Sequence, residues 1–275
     1  MVVDTHQRRL KLLSRITARW PVVTDQMTLG PLRLDFTRVA DPNRVLDEIA
    51  DEEDRRERKT GVRKPEDQLH LPYWAELWES SIAIASFVAA QWAACGRDDS
   101  HIARLAKQTL LALSSPTSER SQSARAARVM DLGCGMGLAG VAAARLGANV
   151  LFADLESPAL LFAQLNSLGQ PGRCRARKVN WQTDRLNEQF DLILGADIVY
   201  DRSQWQYLAP FFNAHLAPAG TVLLGEPGRS SGEEFVPWIA AQGWQVQRHQ
   251  QPLPGSPQPI HLLELLRAPA PHTSP

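Results

Sequence analysis

Short apolar runs alternate with longer segments of helical periodicity through the second half of the chain. Alternating strands and helices predict a mainly parallel sheet with helices on both faces and right-handed crossovers. The last two runs, 244–250 and 260–266, have no helical segment between them, so we expect them to pair as an antiparallel hairpin at one edge. The predicted fold is α/β, with a Rossmann-like, doubly wound, seven-stranded sheet. The other strand-like runs are 128–132, 149–155, 175–180, 191–197 and 221–226, and the helical segments are 138–146, 158–168, 203–216 and 233–242.

An arginine-rich segment at the start of the chain carries four apolar residues at helical spacing. These are Leu10, Leu13, Ile16 and Trp20. The pattern predicts a helix that docks through this apolar face and leaves a basic face in solvent. A mitochondrial presequence or a helix on a membrane surface is the alternative, whereas the cleavage site and apolar core of a secretory signal are missing.

The chain divides into three predicted parts. Residues 1–70 form an N-terminal extension: the basic helix, a β-hairpin about Gly30-Pro31 and a charged helix that opens at Asp41-Pro42. Residues 71–267 form the sheet domain, with a flexible insertion expected at about 96–127. In this insertion a short helix-like piece at 102–113 leads into a stretch rich in Ser, Arg and Ala. Residues 268–275 are expected to be a disordered tail.

Composition limits the partners and the cellular compartment that we expect for the protein. Thirty basic and thirty acidic side chains give a formal net charge of zero, so no polyanionic partner is indicated. The cysteines Cys95, Cys134 and Cys174 are too scattered for a disulfide framework or a zinc cluster, which favours a reducing cytoplasm. No apolar run is long enough to span a membrane.

A glycine loop follows the first strand of the sheet domain. Gly133, Gly135 and Gly137 let a ligand approach the main chain, and the helix behind them offers free N–H groups. Residues 135–140 also match GxGxxG, the pattern of dinucleotide-binding loops. Asp131, just before the loop, would repel a pyrophosphate but attract the ammonium and sulfonium of S-adenosylmethionine (SAM), so we predict SAM.

Other candidates follow the carboxyl ends of the later strands, where ligands bind in open α/β sheets. Asp154 ends the second strand and is a candidate acceptor for ribose hydroxyls. Asn180 and Trp181 end the third and are expected against the adenine. Asp197 and Tyr200 follow the fourth and should lie beside the cofactor; a helix cap and a surface tyrosine are the alternatives.

Two tryptophans precede the first strand. Trp78 is predicted to roof the cofactor, and Trp74 to pack beneath the helix. The predicted cofactor-binding residues are Trp78, Asp131, Gly133, Gly135, Gly137, Asp154, Asn180, Trp181 and Ala196, the predicted catalytic residues are Asp197 and Tyr200, and no metal site is predicted.

From about residue 22 to the last strand, the chain resembles the seven-β-strand protein lysine methyltransferases known as methyltransferase family 16. The resemblance rests on the Gly30 hairpin, the Trp78-Glu79-Ser80 segment, the glycine loop, Asp154, the Trp181 segment and the DxxY sequence from Asp197 to Tyr200. It implies SAM as cofactor and a protein lysine as acceptor. Carried over residue by residue, the resemblance implies that Asp197 and Tyr200 face the acceptor. The residues that it implies on SAM are Asp131, Gly133, Gly135, Asp154, Trp181 and Trp78.

Other functions are open at this stage. A small-molecule N- or O-methyltransferase would share the whole cofactor half. An NAD(P)-dependent oxidoreductase or a non-catalytic binding module is the alternative of another class. Nucleic-acid methylation is disfavoured, because residues 197–200 read DIVY where such enzymes carry Asn/Asp-Pro-Pro-aromatic.

Overall fold

The computed structural model describes residues 2–61, 72–94, 101–114 and 125–268. Its helices are α1 (Val2–Thr17), α2 (Pro42–Thr60), α3 (Glu79–Ala93), α4 (His101–Ser114), α5 (Leu138–Arg145), α6 (Ser157–Asn166), α7 (Arg202–His215) and α8 (Ser230–Ala241), with one 3-10 turn at Tyr73–Ala75. Its strands are β1 (Val22–Leu29), β2 (Leu32–Val39), β3 (Arg128–Leu132), β4 (Asn149–Asp154), β5 (Cys174–Lys178), β6 (Phe190–Ala196), β7 (Leu216–Glu226), β8 (Trp244–Gln251) and β9 (Ile260–Arg267). Within these ranges, none of the helices has the length and apolar character needed to cross a bilayer.

The seven-stranded sheet has the order β5-β4-β3-β6-β7-β9-β8. β3 pairs in parallel with both β4 and β6, so the chain winds outward in one direction through β5 and in the other through β7. β9 pairs antiparallel with β7 and with β8, which confirms the predicted edge hairpin. Strand order reverses between β3 and β6, and the carboxyl ends of these two strands therefore border the crevice in which such sheets bind ligands.

Helices cover both faces of the sheet, as a doubly wound fold requires. One face carries α3, α5 and α6, whose small and aliphatic side chains pack with Val129 and Leu192 of the sheet. The other carries α7 and α8, where Phe212 and Phe235 pack with Met130. β6 reads as an unbroken buried run because it is covered on both faces.

The N-terminal extension packs against the helical layer formed by α3, α5 and α6. Leu12 and Ile16 of α1 are buried in the same apolar cluster as α6. Leu10, which the helical spacing placed on the docking face, is 54% exposed, so that part of the prediction was wrong. Leu12 takes its place because it lies one turn before Ile16 on the side that meets α6.

The stretch expected to be a flexible insertion contains helix α4. Ile102, Leu105 and Ala106 are buried, and Ala127 donates its backbone N–H to Thr109 Oγ1 at 2.9 Å, which ties the segment before β3 to the helix. The helix-like piece at 102–113 is therefore a packed helix, and the expectation of a flexible insertion is corrected for 101–114. Residues 115–124 of the insertion, Cys95 and the tail from 269 onward lie outside the described residues.

Candidate active site

The glycine loop joins β3 to α5 in left-handed backbone conformations. Gly133, Gly135 and Gly137 have φ of +62°, +51° and +93°, a region that side chains disfavour. A Cβ on Gly133 would lie 2.9 Å from Ile198 Cγ2, which comes from the loop after β6. The loop is therefore free of side chains at its three glycines, and Gly133 adjoins the end of β6.

Asp131 lies beneath the loop. Its Oδ2 accepts a hydrogen bond from the backbone N–H of Gly140 at 2.8 Å, so the carboxylate caps the start of α5. The missing side chain of Gly140 makes room for it, since a Cβ there would lie 2.8 Å from the same oxygen. Burial raises the pKa of Asp131 to about 7. The contact that is seen is the helix cap, and direct contact of Asp131 with SAM stays a prediction.

Asp154, at the end of β4, holds the loop from the other side. Its Oδ2 accepts from Gly135 N–H and its Oδ1 from Glu156 N–H, both at 2.8 Å. Burial raises the pKa of Asp154 to about 6. Two buried carboxyl groups therefore border the glycine loop, and their charge favours a cationic ligand over an anionic one.

Trp181 reaches the loop from the end of β5. Its Cζ3 lies 3.6 Å from the position that a Gly133 Cβ would take, and its indole N–H donates to Gln204 Oε1 at 3.1 Å. The ring is half-buried, unlike a core tryptophan. The side-chain oxygen of Asn180 accepts from Gln182 N–H at 2.9 Å and closes the turn that contains Trp181. Ala196, at the last position of β6, is half-buried.

Asp197 has a left-handed backbone conformation and forms an ion pair with Arg229. Its φ is +53°, a conformation that Asp and Asn adopt more readily than most residues. The side chain is buried, and its two oxygens lie 3.3 Å from Nε and 2.9 Å from a terminal nitrogen of Arg229. Arg229 stands in the loop after β7, directly before α8. The carboxylate is thus held by a guanidinium fork rather than used as a helix cap; Asp201 caps α7.

Three aromatic rings stand beside this ion pair. Tyr73 meets Tyr200 edge-on at 5.8 Å and Trp78 edge-on at 6.1 Å between ring centroids. Trp78 Nε1 donates to the Tyr73 carbonyl at 2.9 Å, and the Arg229 guanidinium lies 5.9 Å from the Trp78 ring centre. Burial, together with the charge of Asp197 nearby, raises the pKa of Tyr200.

Trp74 belongs to the core instead. It is buried, edge-on to Trp20 at 5.2 Å and tilted against Phe162 at 5.9 Å. Its predicted packing role is confirmed.

The model of one protein family, described as lysine methyltransferase, matches residues 66–239, more than half of the chain. The chain belongs to this family. The match confirms the resemblance drawn from the motifs. It also includes every predicted site residue, whereas α1, the hairpin and α2 precede it.

The curated proteins to which the chain is similar are also named as lysine methyltransferases. Over 105 residues, 35% of this chain and 47% of the relative, the chain is 42% identical to protein N-lysine methyltransferase METTL21A of Danio rerio. Over 134 residues, 46% of this chain and 57% of the relative, it is 31% identical to EEF1A lysine methyltransferase 3 of Mus musculus. Over 192 residues, 66% of this chain and 59% of the relative, it is 27% identical to the electron transfer flavoprotein beta subunit lysine methyltransferase of Xenopus laevis. The chain spans about half the length of the curated relatives it matches.

Sequence reasoning missed two residues of this candidate site. Arg229 follows the fifth strand of the sheet domain, so the rule that ligands bind beyond strand carboxyl ends, applied to every strand, would have included it. Tyr73 stands one residue before Trp74 in a tryptophan-rich segment, and nothing in that segment distinguishes it. Both residues join Asp197 and Tyr200 only through folding.

Proposed function

We propose that this member of the lysine methyltransferase family uses SAM to methylate a lysine side chain of another protein. The observation that carries the proposal is the juxtaposition, at the switch point of the sheet, of the glycine loop with an arginine-paired aspartate and a group of aromatic rings. The first part suits a cofactor, and the second suits a long cationic side chain.

The glycine loop fits SAM better than it fits a dinucleotide. Asp131 and Asp154 border the loop as buried acids, and their negative charge is unfavourable for a pyrophosphate. Gly133, Gly135, Asp154 and Trp181 would hold the cofactor. When bound, SAM supplies a methyl group that is already activated on a sulfonium.

The other side of the site suits an amine. Asp197 offers carboxylate oxygens to hydrogen-bond an N–H group, and the ring faces of Tyr200 and Trp78 attract cations. Alignment of a reacting amine can contribute up to roughly 7–11 kcal/mol to lowering a barrier. The residues of this chain would therefore act mainly by orientation.

The mouth of the site favours a protein over a small molecule. Tyr73 is 47% and Tyr200 49% exposed, so the rings stand open to solvent. Small-molecule sites usually enclose most of the ligand surface. An open aromatic rim is better suited to a side chain presented by a partner's surface. Among the described cysteines, Cys134 and Cys174 are free thiols, which supports our placement of the protein in the cytoplasm.

The test is methyl transfer from labelled SAM in a cell lysate that lacks the gene. We expect label in one or a few proteins, mapped to lysine by mass spectrometry. Label confined to small molecules or to nucleic acid would replace the proposed acceptor. Calorimetric binding of NAD but not SAM would favour an oxidoreductase, and SAM binding without any transfer would favour a non-catalytic module.

A further inference from the structure

We propose that Arg229 controls the charge of the acceptor site: it neutralises Asp197, so that the carboxylate orients a lysine amine without holding it as an ammonium ion. This inference rests on the proposed lysine acceptor and adds to it a residue outside the recognised motifs.

The loop that carries Arg229 is fixed before any substrate arrives. Buried Glu226 accepts the backbone N–H groups of Gly228 at 2.8 Å and Arg229 at 3.0 Å, both through Oε2. Its other oxygen lies 2.9 Å from His261 Nδ1. Gly228 has φ of +89°, which turns the chain sharply before α8. A buried carboxylate therefore sets the direction in which the guanidinium leaves the backbone.

The guanidinium occupies a position that would suit a substrate cation. It contacts both oxygens of Asp197, and it lies within cation–π range of Trp78. The Arg229 side chain is 45% exposed, whereas that of Asp197 is 6% exposed. A lysine entering from solvent would therefore meet the aspartate with its charge already balanced.

Methyl transfer requires an uncharged amine, and neutralising the charge of Asp197 favours that form of the lysine. The amine nitrogen must first give up a proton to water, because only its free lone pair can form the new bond to carbon. As that bond forms, the carbon–sulfur bond breaks and its electron pair returns to sulfur, which leaves a neutral thioether and a methylated ammonium. A lone carboxylate would raise the pKa of the lysine from about 10.4, whereas a nearby permanent cation lowers it.

The other titratable groups described near Asp197 do not neutralise its charge as Arg229 does. Asp201 is engaged as the cap of α7, and Glu226 is paired with His261 and with the backbone of its own turn. Burial raises the pKa of Tyr200, so its phenol adds no charge near neutral pH. Among the described groups around Asp197, the guanidinium is thus the permanent cation.

The experiment compares Arg229→Gln with Arg229→Lys in the full chain, by methyl transfer from labelled SAM to lysate protein between pH 6 and 10. Gln keeps an amide donor for Asp197 but removes the charge, and Lys keeps the charge. We expect the midpoint of the pH–rate profile to rise by about one unit or more in Arg229→Gln, with about a tenfold loss near pH 7 that recovers at high pH. Arg229→Lys should keep the wild-type midpoint.

Two further variants complete the test. Asp197→Asn removes the carboxylate and should move the midpoint in the opposite direction, whatever it does to the maximal rate. Arg175→Ala breaks an exposed ion pair with Glu188 on another part of the sheet and should leave the profile unchanged. Melting temperatures and SAM dissociation constants establish that the variants are folded and loaded.

Failure of this inference is distinguishable from failure of the proposed function. Transfer to lysine by the wild-type protein, with an equal loss at every pH in Arg229→Gln, would reduce Arg229 to a structural residue and overturn the inference alone. SAM binding without lysine methylation by the wild-type protein would overturn both.

Discussion

Asp197 shows how one substitution separates acceptor alignment from folding. Asn tolerates the left-handed backbone at this position, so Asp197→Asn should keep the fold and bind SAM within about threefold of wild type. The maximal methylation rate, on the high-pH plateau of the profile, should fall by about tenfold or more, because a misaligned amine loses part of the orientation contribution. The matched control is Asp201→Asn, since Asp201 caps α7 and Asn caps helices about equally well. A rate for Asp197→Asn within twofold of wild type would remove it from the catalytic residues.

Asp154 gives SAM binding a dependence on pH. The pKa of Asp154 is raised to about 6 and that of Asp131 to about 7, so both carboxyls take up protons as the pH falls from 8 to 5. A cationic ligand favours the ionised forms, and its affinity should therefore rise with pH through this range and level off above it.

Asp154→Asn separates the contribution of Asp154 to the pH dependence of SAM affinity from that of Asp131. The variant should bind SAM more weakly at pH 8 and should lose the part of the rise that belongs to Asp154. The part that belongs to Asp131 should remain at a lower pH, because the charge of Asp154 contributes to the raised pKa of Asp131. Glu188→Gln, remote from the loop, is the control that should keep both parts. Calorimetric titrations at half-unit pH intervals measure this, and an affinity independent of pH in the wild-type protein would contradict it.

At the scale of elements, one amide side chain joins a strand, a helix and the glycine loop. Asn166, the last residue of α6, accepts the N–H of Thr37 at 2.8 Å and donates to the carbonyls of Thr37 at 2.9 Å and Met136 at 3.1 Å. All three partners are buried backbone groups. β2 is thereby fastened to the loop that is proposed to hold the cofactor.

Asn166→Ala should therefore destabilise the fold and weaken the cofactor site together. Unsatisfied buried polar groups cost about 1–3 kcal/mol each, so we expect a loss of about 2–4 kcal/mol in the free energy of unfolding, measured in urea. SAM affinity should fall as well, because Met136 lies within the loop. Asn213→Ala, on the exposed side of α7, should change stability by no more than about 0.5 kcal/mol. Unfolding free energies that agree between Asn166→Ala and wild type would show that water replaces the amide without cost.

At the scale of the whole molecule, the extension and the sheet domain should unfold together. Ile16 of α1 is fully buried in the core shared with α6, and Trp20 packs edge-on against Trp74. Ile16→Ala should lower the stability of the whole chain by about 2–4 kcal/mol in a single transition. Leu10→Ala, at an exposed position of the same helix, should have little effect.

Coincidence of two probes checks this cooperativity. Far-ultraviolet circular dichroism follows the helices, and tryptophan fluorescence follows the packing of all eight indole rings, Trp20 and Trp74 among them. If the two report separate transitions, or if Ile16→Ala melts like wild type, α1 is an independent appendage and not part of the core.

The sequence by itself determined the order of the elements, the parallel sheet and the glycine loop. These features are encoded over short stretches. The strand run from Phe190 to Ala196 is covered on both faces and therefore apolar except at Asp191, and the turn after β3 needs glycines because its φ angles are positive. Periodicity and turn chemistry are local properties, so they can be recognised without knowing what lies across the sheet.

Only the tertiary structure decided where side chains point and which charges meet. Leu12 and not Leu10 docks α1, because the choice depends on the surface that α6 presents. Asp131 turns beneath the loop because Gly140, nine residues later, leaves space for it. Arg229 reaches Asp197 across 32 residues of sequence, through the adjacency of β6 and β7 and a turn fixed by a buried carboxylate. Pairings at such separations leave no periodic signal, because they arise from the packing of whole elements.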